Sequence, residues 1–182
     1  MQIIPTAIAG LVEVQPRAFA DERGYFFELF NDKVFEKLDL PTQFPQDNQS
    51  FSKKGVIRGL HLQLPPYEQG KLVKVMTGKV LDVVVDLRPG SATFGQHEKV
   101  LLSSEKNNLL WVPEGFAHGF VALEDSIFYY KCTNNYNKQA ESGIRWNDPD
   151  LNIDWGIEEP LVSEKDQELP SFKEFVSKWS LI

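Results

Sequence analysis

The sequence predicts a protein that is all-β in its core, built as a sandwich or barrel, and three observations carry that reading. Short β-branched and aromatic runs, punctuated by Gly, Pro, Asn and Asp, recur along most of the chain. Helical periodicity is confined to two short segments, near residues 31 to 38 and after residue 171. At 182 residues, 42% of them hydrophobic and 12% aromatic, the chain is the size of one domain and can bury a substantial core. The expected organisation is a single domain over residues 1–182, with its barrel from about residue 11 to 160.

The elements follow in order. Met1 to Gly10 is mildly apolar, and Leu11 to Gln15 reads as the first core strand. Asp21-Glu22-Arg23-Gly24 supplies a turn into an aromatic strand, Tyr25 to Phe30. A short helix spans Asn31 to Leu38, and strands follow at Asp47 to Ser52, Val56 to Leu62 and Lys71 to Met76. Thr77-Gly78 turns into Lys79 to Leu87, where Leu81, Val83, Val85 and Leu87 share one face and Asp82, Val84 and Asp86 the other, a half-buried alternation. Further strands are expected at Glu98 to Leu102, Asn108 to Val112, Gly119 to Leu123 and Ile127 to Thr133. Ser171 and Glu174 form a capping-box pattern that opens a helix to about residue 180, with Phe172, Phe175, Val176 and Trp179 as its packing stripe.

Composition excludes several functions. A formal charge of −7 does not supply the basic face that a nucleic-acid backbone needs, so an anionic ligand must meet a local cluster of Arg and Lys. No apolar run reaches the roughly 20 residues of a membrane span, and the N-terminus lacks the basic start of a signal peptide. A single cysteine, Cys132, gives no intrachain disulfide and is expected to be packed. These features point to the cytoplasm.

Two constellations could carry chemistry. If the stretch around Pro66 is a hairpin turn, His61 and Lys71 face each other on paired strands, a base beside a fixed cation. A flat strand sends Arg58 and His61 to opposite faces, and a bulge at Gly59 would re-aim one. Similarly, a turn at Glu124-Asp125 would set His118 opposite Tyr130. Small β-barrels often hold a metal on a His-x-His pair with a Glu and another His, but only His61, His97 and His118 are present and Leu62-Gln63 follows His61. No metal and no cofactor are expected, and His97 is read as solvent-facing. Gln46-Asp47-Asn48 would begin a strand, and Ser163-Glu164-Lys165-Asp166 would form a solvated loop.

Taken together, DERGYFFELF, QDNQSFSKKGVIRGLHLQ, GKLVKVMTGKVLDVVVDLRPGSATFG, WVPEGFAHGFVAL, YYKCTNNYNKQAESGIRWNDPDLNIDW and SEKD resemble the dTDP-4-dehydrorhamnose 3,5-epimerase family from about Ile4 to Phe175. The resemblance implies a cupin-like jelly roll, or double-stranded β-helix barrel, with no metal. It also implies inversion of carbons 3 and 5 of dTDP-4-dehydro-6-deoxy-D-glucose, beside the ketone, to give dTDP-4-dehydro-L-rhamnose. By that likeness His61 is the general base, Tyr130 the acid on the opposite face, Asp166 the carboxylate that orients His61, and Lys71 the cation beside the carbonyl oxygen. Arg23, Arg58 and His118 would clamp the diphosphate, and Glu28, Gln46, Asp47, Asn48, Glu141 and Lys165 would also touch the dTDP-linked keto-sugar. Tyr136 would stack on thymine. The family implies a homodimer in which an N-terminal segment, here Met1 to Gly10, completes the partner's site.

These roles suit the chemistry. A histidine titrating near pH 6.5 is a competent base at neutral pH, and a tyrosine with pKa near 10 keeps its proton to donate. A preorganised cation meets the enolate charge. Leu62 and the segment Gln49-Ser50-Phe51-Ser52 depart from the family's usual pattern. They bear on sugar orientation, so the alternative is an enzyme that inverts carbon 3 or carbon 5 alone on a related dTDP-4-keto-6-deoxy-sugar.

Overall fold

The computed structural model describes residues 1–179 and is a mainly-β jelly roll of two facing antiparallel sheets. Its elements are β1 (Gln2–Pro5), β2 (Val12–Gln15), β3 (Phe19–Asp21), β4 (Gly24–Phe26), α1 (Asp32–Lys37), β5 (Gln46–Ser52), β6 (Val56–Gln63), β7 (Lys71–Thr77), β8 (Lys79–Asp86) and β9 (His97–Ser103). Next come β10 (Leu109–Val112), β11 (Phe116–Ala122), β12 (Ser126–Cys132), β13 (Glu141–Gly143), β14 (Leu161–Val162), α2 (Glu164–Gln167) and α3 (Phe172–Trp179). One sheet runs β1-β2-β10-β7-β12-β5 and the other β13-β6-β11-β8-β9, with β14 added parallel to β6.

From β5 to β12 the chain alternates between sheets, with β5, β7, β10 and β12 in the first and β6, β8, β9 and β11 in the second, except that β8 and β9 are consecutive and pair with each other. This alternation corrects two expected pairings. His61 and Lys71 are not cross-strand partners, because β6 pairs with β11 and β13 while β7 pairs with β10 and β12. Likewise His118 lies opposite His61 and Val84, and Tyr130 lies opposite Val73 and Asn48. The segments expected to make hairpin turns carry the chain from one sheet to the other.

The core has three layers. Between the sheets, Val73, Val75, Val80, Val84, Leu110, Phe116, Phe120 and Phe128 pack together. The outer face of the second sheet is covered as well: Ile57, Leu60, Leu62, Val83, Val85 and Val121 meet Ile144, Leu151, Trp155 and Phe175 from the C-terminal segment. Each such fully buried aliphatic side chain contributes about 1.5–3 kcal/mol. Burial on both faces overturns the half-buried reading of β8, and Asp82 and Asp86 are fully buried where solvent exposure was expected. On the outer face of the first sheet, Phe35 of α1 packs with Leu72, Leu109 and Trp111.

Local signals decide the helices. The Asn31 side chain caps α1 by accepting from Val34 N–H. At α3, Ser171 N–H donates to Glu174 at 2.7 Å and Glu174 N–H donates back to Ser171 Oγ at 3.2 Å, the reciprocal capping that the sequence predicts. The Trp179 side chain and the helix end near residue 180 lie outside the described residues. The aromatic strand ends at Phe26 instead of Phe30, in an exposed two-stranded hairpin with β3. His97 is half-buried, not solvent-facing, and burial lowers its pKa. Cys132 is buried, accepting from Asn48 Nδ2 at 3.5 Å. Met1–Gly10 contributes β1 to the edge of its own sheet, paired with β2.

Candidate active site

At one end of the space between the sheets lies a cavity of about 290 Å³. Arg58 and His61 enter it from β6, Lys71 from β7, His118, Gly119 and Phe120 from β11, Phe128 and Tyr130 from β12, Ser50 from β5, and Ser163, Lys165 and Asp166 from the last loop and α2. The jelly-roll crossover puts His61 and Tyr130 on opposite walls, since β6 and β12 belong to facing sheets.

A bulge aims the β6 side chains. Phe120 and His118, two residues apart on β11, lie opposite Arg58 and His61, three apart on β6, so one extra residue is accommodated there. Gly59 takes it up with φ of +121°, and the expected bulge is what brings Arg58 and His61 to the same cavity. The strands come so close that a Cβ on Gly119 would sit 2.6 Å from Arg58 O.

His61 Nε2 lies 2.7 Å from Asp166 Oδ1, and the other Asp166 oxygen accepts from Gly59 N–H at 3.2 Å. Asp166 is held in place by α2, a four-residue helix capped by Ser163, and not by the solvated loop expected from the sequence. Burial alone would raise the Asp166 carboxyl, but hydrogen bonds from His61 and Gly59 and the nearby charges of His61 and Lys165 hold it below the usual range. An ionised carboxylate can only accept, so Nε2 of His61 carries a proton, and Nδ1 is the ring nitrogen that Asp166 does not engage.

Lys71 Nζ donates to His61 O at 3.4 Å across the gap between the sheets. The two residues are therefore brought together, though not by strand pairing. Burial lowers the Lys71 pKa, opposed by the neighbouring Cys132, Asp82 and Glu141. Burial also raises the Tyr130 phenol, so it stays protonated at neutral pH and can only be a donor there. His118 forms a second dyad: its Nε2 lies 3.0 and 2.8 Å from the two oxygens of Asp82, with 8% and 0% of the two side chains exposed.

At the rim, Lys165 Nζ donates to Glu141 at 2.5 Å, Tyr136 OH donates to the other Glu141 oxygen at 2.8 Å, and Gln46 Oε1 accepts from Tyr136 N–H at 2.7 Å. Tyr136 is 51% exposed. Arg58 is braced by Ser52 Oγ and Phe51 O. Seven expected residues do not line this cavity: Gln46, Tyr136 and Glu141 stand at its rim, Asn48 lies behind it, and Arg23, Glu28 and Asp47 are turned away. Arg23 pairs with Asp21 on the exposed hairpin, Glu28 accepts from Asn31, and Asp47 turns to the opposite face of β5, where Tyr129 and Lys131 hold it. Asn48 faces inward, toward Cys132.

Leu62 lies in the outer core and not against the cavity, so its departure from pattern does not touch a bound sugar; Ser50 does line the cavity. Sequence reasoning missed Asp82 and the apolar floor of Phe120 and Phe128, whose rings stack 4.3 Å apart. A carboxylate flanked on both sides by the valines and leucine of β8 was the available signal. Among the described residues no group of three or more His, Cys, Asp or Glu is placed to hold a metal, and no helix is long and apolar enough to cross a membrane.

Comparison with known proteins agrees with this geometry. The family described as dTDP-4-dehydrorhamnose 3,5-epimerase matches residues 5–174. A Shigella flexneri protein of that name is 51% identical over 168 residues, which cover 91% of this chain and 93% of the relative. A crystal structure of the Elizabethkingia anophelis enzyme of the same name superposes with a TM-score of 0.92 at 48% identity, covering 96% of this chain and 97% of that one. A Legionella pneumophila epimerase solved in complex with dTDP-4-keto-L-rhamnose gives a TM-score of 0.92 at 44% identity, covering 97% and 95%.

Proposed function

The chain belongs to the dTDP-4-dehydrorhamnose 3,5-epimerase family, and we propose that its cavity inverts carbons 3 and 5 of dTDP-4-dehydro-6-deoxy-D-glucose with His61 as base and Tyr130 as acid. The observation that carries this reading is the placing of a His61–Asp166 dyad and a protonated phenol on opposite walls of one cavity. Inversion requires that a proton leave one face of a carbon and another arrive on the opposite face, which one side chain cannot do.

His61 Nδ1 takes the proton from the carbon beside the ketone. The C–H electron pair becomes the enolate double bond, and the carbonyl oxygen gains the negative charge. The Lys71 ammonium meets that charge, a stabilisation worth several kcal/mol in a water-poor site. Tyr130 then donates its proton to the carbon from the other wall, and imidazolium and phenolate reset through solvent. Asp166 fixes the His61 tautomer and balances the imidazolium.

Arg58, His118 and Lys165, inside or at the mouth of the cavity, hold the diphosphate, and Tyr136 stacks on the thymine, with Glu141, Gln46 and Asn48 forming its surround. Arg23 and Glu28 reach substrate only from a second copy of the chain, in a cytoplasmic homodimer. The exposed Phe19, Tyr25 and Phe26 beside Arg23, and the edge position of β1, support that assembly.

Incubating the keto-sugar nucleotide with enzyme in heavy water tests the proposal. Deuterium at both carbon 3 and carbon 5 is expected. Label at one carbon alone would make the protein a single-carbon epimerase, and no label at either would end the reading.

A further inference from the structure

Between β12 and β13, residues 133–140 form neither strand nor helix, and they carry Tyr136 along the rim of the cavity. Glutamine side chains tie this backbone to the barrel. Gln69 Nε2 donates to Asn134 O at 2.7 Å, and Gln46 Oε1 accepts from Tyr136 N–H at 2.7 Å. Gln63 bonds on both sides of Tyr136: its Nε2 donates to Asn135 O at 3.3 Å and its Oε1 accepts from Asn137 N–H at 2.6 Å. The Asn135 carbonyl belongs to the peptide plane before Tyr136 and the Asn137 amide to the plane after it. Pinning both planes fixes φ and ψ of Tyr136, and with them the direction in which its side chain leaves the backbone.

Gln63 is itself firmly held. It ends β6, two residues after His61 and on the same face of the strand, and it is buried. Its Nε2 also donates to Tyr67 O at 2.5 Å. Two carbonyl oxygens on one side and an N–H on the other leave a single orientation of the amide, and a buried amide stripped of such partners is costly. Glu141, the cross-strand partner of Gln63, accepts from the Tyr136 hydroxyl at 2.8 Å, so the tyrosine is gripped at its tip as well as at its root.

We propose that Gln63 is a positioning residue that aims the Tyr136 ring, so that one strand fixes both the base at the reacting carbon and the platform for the nucleobase. The inference rests on the reading of Tyr136 as the thymine platform. Its consequence is preorganisation: with the backbone pinned before the ligand arrives, stacking does not have to order the loop first. Released from Gln63, residues 134–137 sample other peptide orientations, and only a fraction of them present the ring to thymine.

Gln63→Met keeps the length of the side chain and removes its hydrogen bonds. The experiment measures dTDP affinity by calorimetry in wild type, Gln63→Met, Tyr136→Ala and the double variant, with hydrogen exchange at the Asn137 amide followed by NMR in the unliganded proteins. Tyr136→Ala should weaken binding about 5- to 150-fold, the worth of one base–aromatic stack. Gln63→Met should weaken it about tenfold, as for a competent loop populated about one part in ten. In the Tyr136→Ala background the same change should cost less than about twofold further, because an absent ring cannot be misdirected. The Asn137 amide should exchange at least about tenfold faster in Gln63→Met. Where Tyr136→Ala does weaken binding, wild-type affinity in Gln63→Met, or losses that multiply in the double variant as for a residue that merely supports the fold, overturn the inference. An Asn137 amide that exchanges at the wild-type rate overturns it in any case. If Tyr136→Ala binds dTDP like wild type while Gln63→Met speeds exchange at Asn137, the stacking reading fails and the loop clamp stands. Should Gln63→Met not fold, Gln63→Asn draws the amide back by one methylene; the same non-additive pattern is expected, and multiplied losses overturn the proposal.

Discussion

Gly119→Ala places one methyl group where β6 and β11 approach most closely, and its effect can be worked out in advance. The new Cβ would lie 2.6 Å from Arg58 O, 3.1 Å from Gly59 Cα and 3.3 Å from a Leu60 methyl, whereas ordinary contact begins at 3.4 Å. Two of these neighbours are backbone atoms and cannot rotate away. Gly119 is not among the glycines with positive φ, so the effect is steric rather than conformational. Restoring contact parts the strands by about 0.8 Å, and β6 carries both Arg58 and His61. Overpacking of this kind costs about 1–3 kcal/mol of stability, or roughly 2–12 °C in Tm for a chain of this length. A base misplaced by about 1 Å loses about 10²-fold in rate, and kcat/KM should fall roughly 30- to 100-fold. Calorimetry and steady-state kinetics on the purified variant measure both. Wild-type kcat/KM with Tm unchanged within about 1 °C would refute the argument that this contact aims His61.

Asp166→Asn should lower kcat about 10²- to 10⁴-fold while dTDP binding, measured by calorimetry, stays close to wild type, because the amide no longer enforces the productive His61 tautomer. Asp86 is fully buried and bonded by Arg88, Ser91 and Thr93, which hold its carboxyl far below the usual range despite burial. With a folded-state pKa below the unfolded value of about 3.9, its contribution is present above that pH and lost as pH falls through the folded pKa. Asp86→Asn should therefore destabilise by about 3 kcal/mol at pH 7, and the gap to wild type in chemical denaturation should narrow below about pH 4. Dialysis against a strong chelator should leave turnover unchanged, and a loss restored by a divalent metal would contradict the proton-transfer scheme.

Much of the fold was legible because its signals are local. Most of the strand runs, the Ser171/Glu174 capping box and the bulge at Gly59 each depend on residues within one element and lie where the sequence put them, while the aromatic strand stops at Phe26 and the short strands β1, β3, β13 and β14 were not expected. Sheet membership was not legible. A turn that closes a hairpin and a loop that crosses between sheets share the same residues, so the segment around Pro66 was read as joining paired strands when it separates them. His61 and Lys71 still converge because the two sheets face each other, and for the same reason His118 and Tyr130 share a cavity while pairing with other strands. Asp82 escaped because alternation along β8 does not tell water from a barrel interior. Gln46, Asp47 and Asn48 were grouped together from the sequence, and it is the cross-strand partners Tyr129 and Lys131 that show Asp47 on the outer face of β5.

The most direct test of two groups acting from opposite walls is the ratio of deuterium wash-in to inversion in Tyr130→Phe. His61 is untouched in that variant, so proton removal and return on its own wall should continue and label should build up in unconverted sugar. Inversion should fall far more, raising the ratio well above that of wild type. Equal loss of exchange and inversion, or inversion at the wild-type rate without the phenol, would contradict the account.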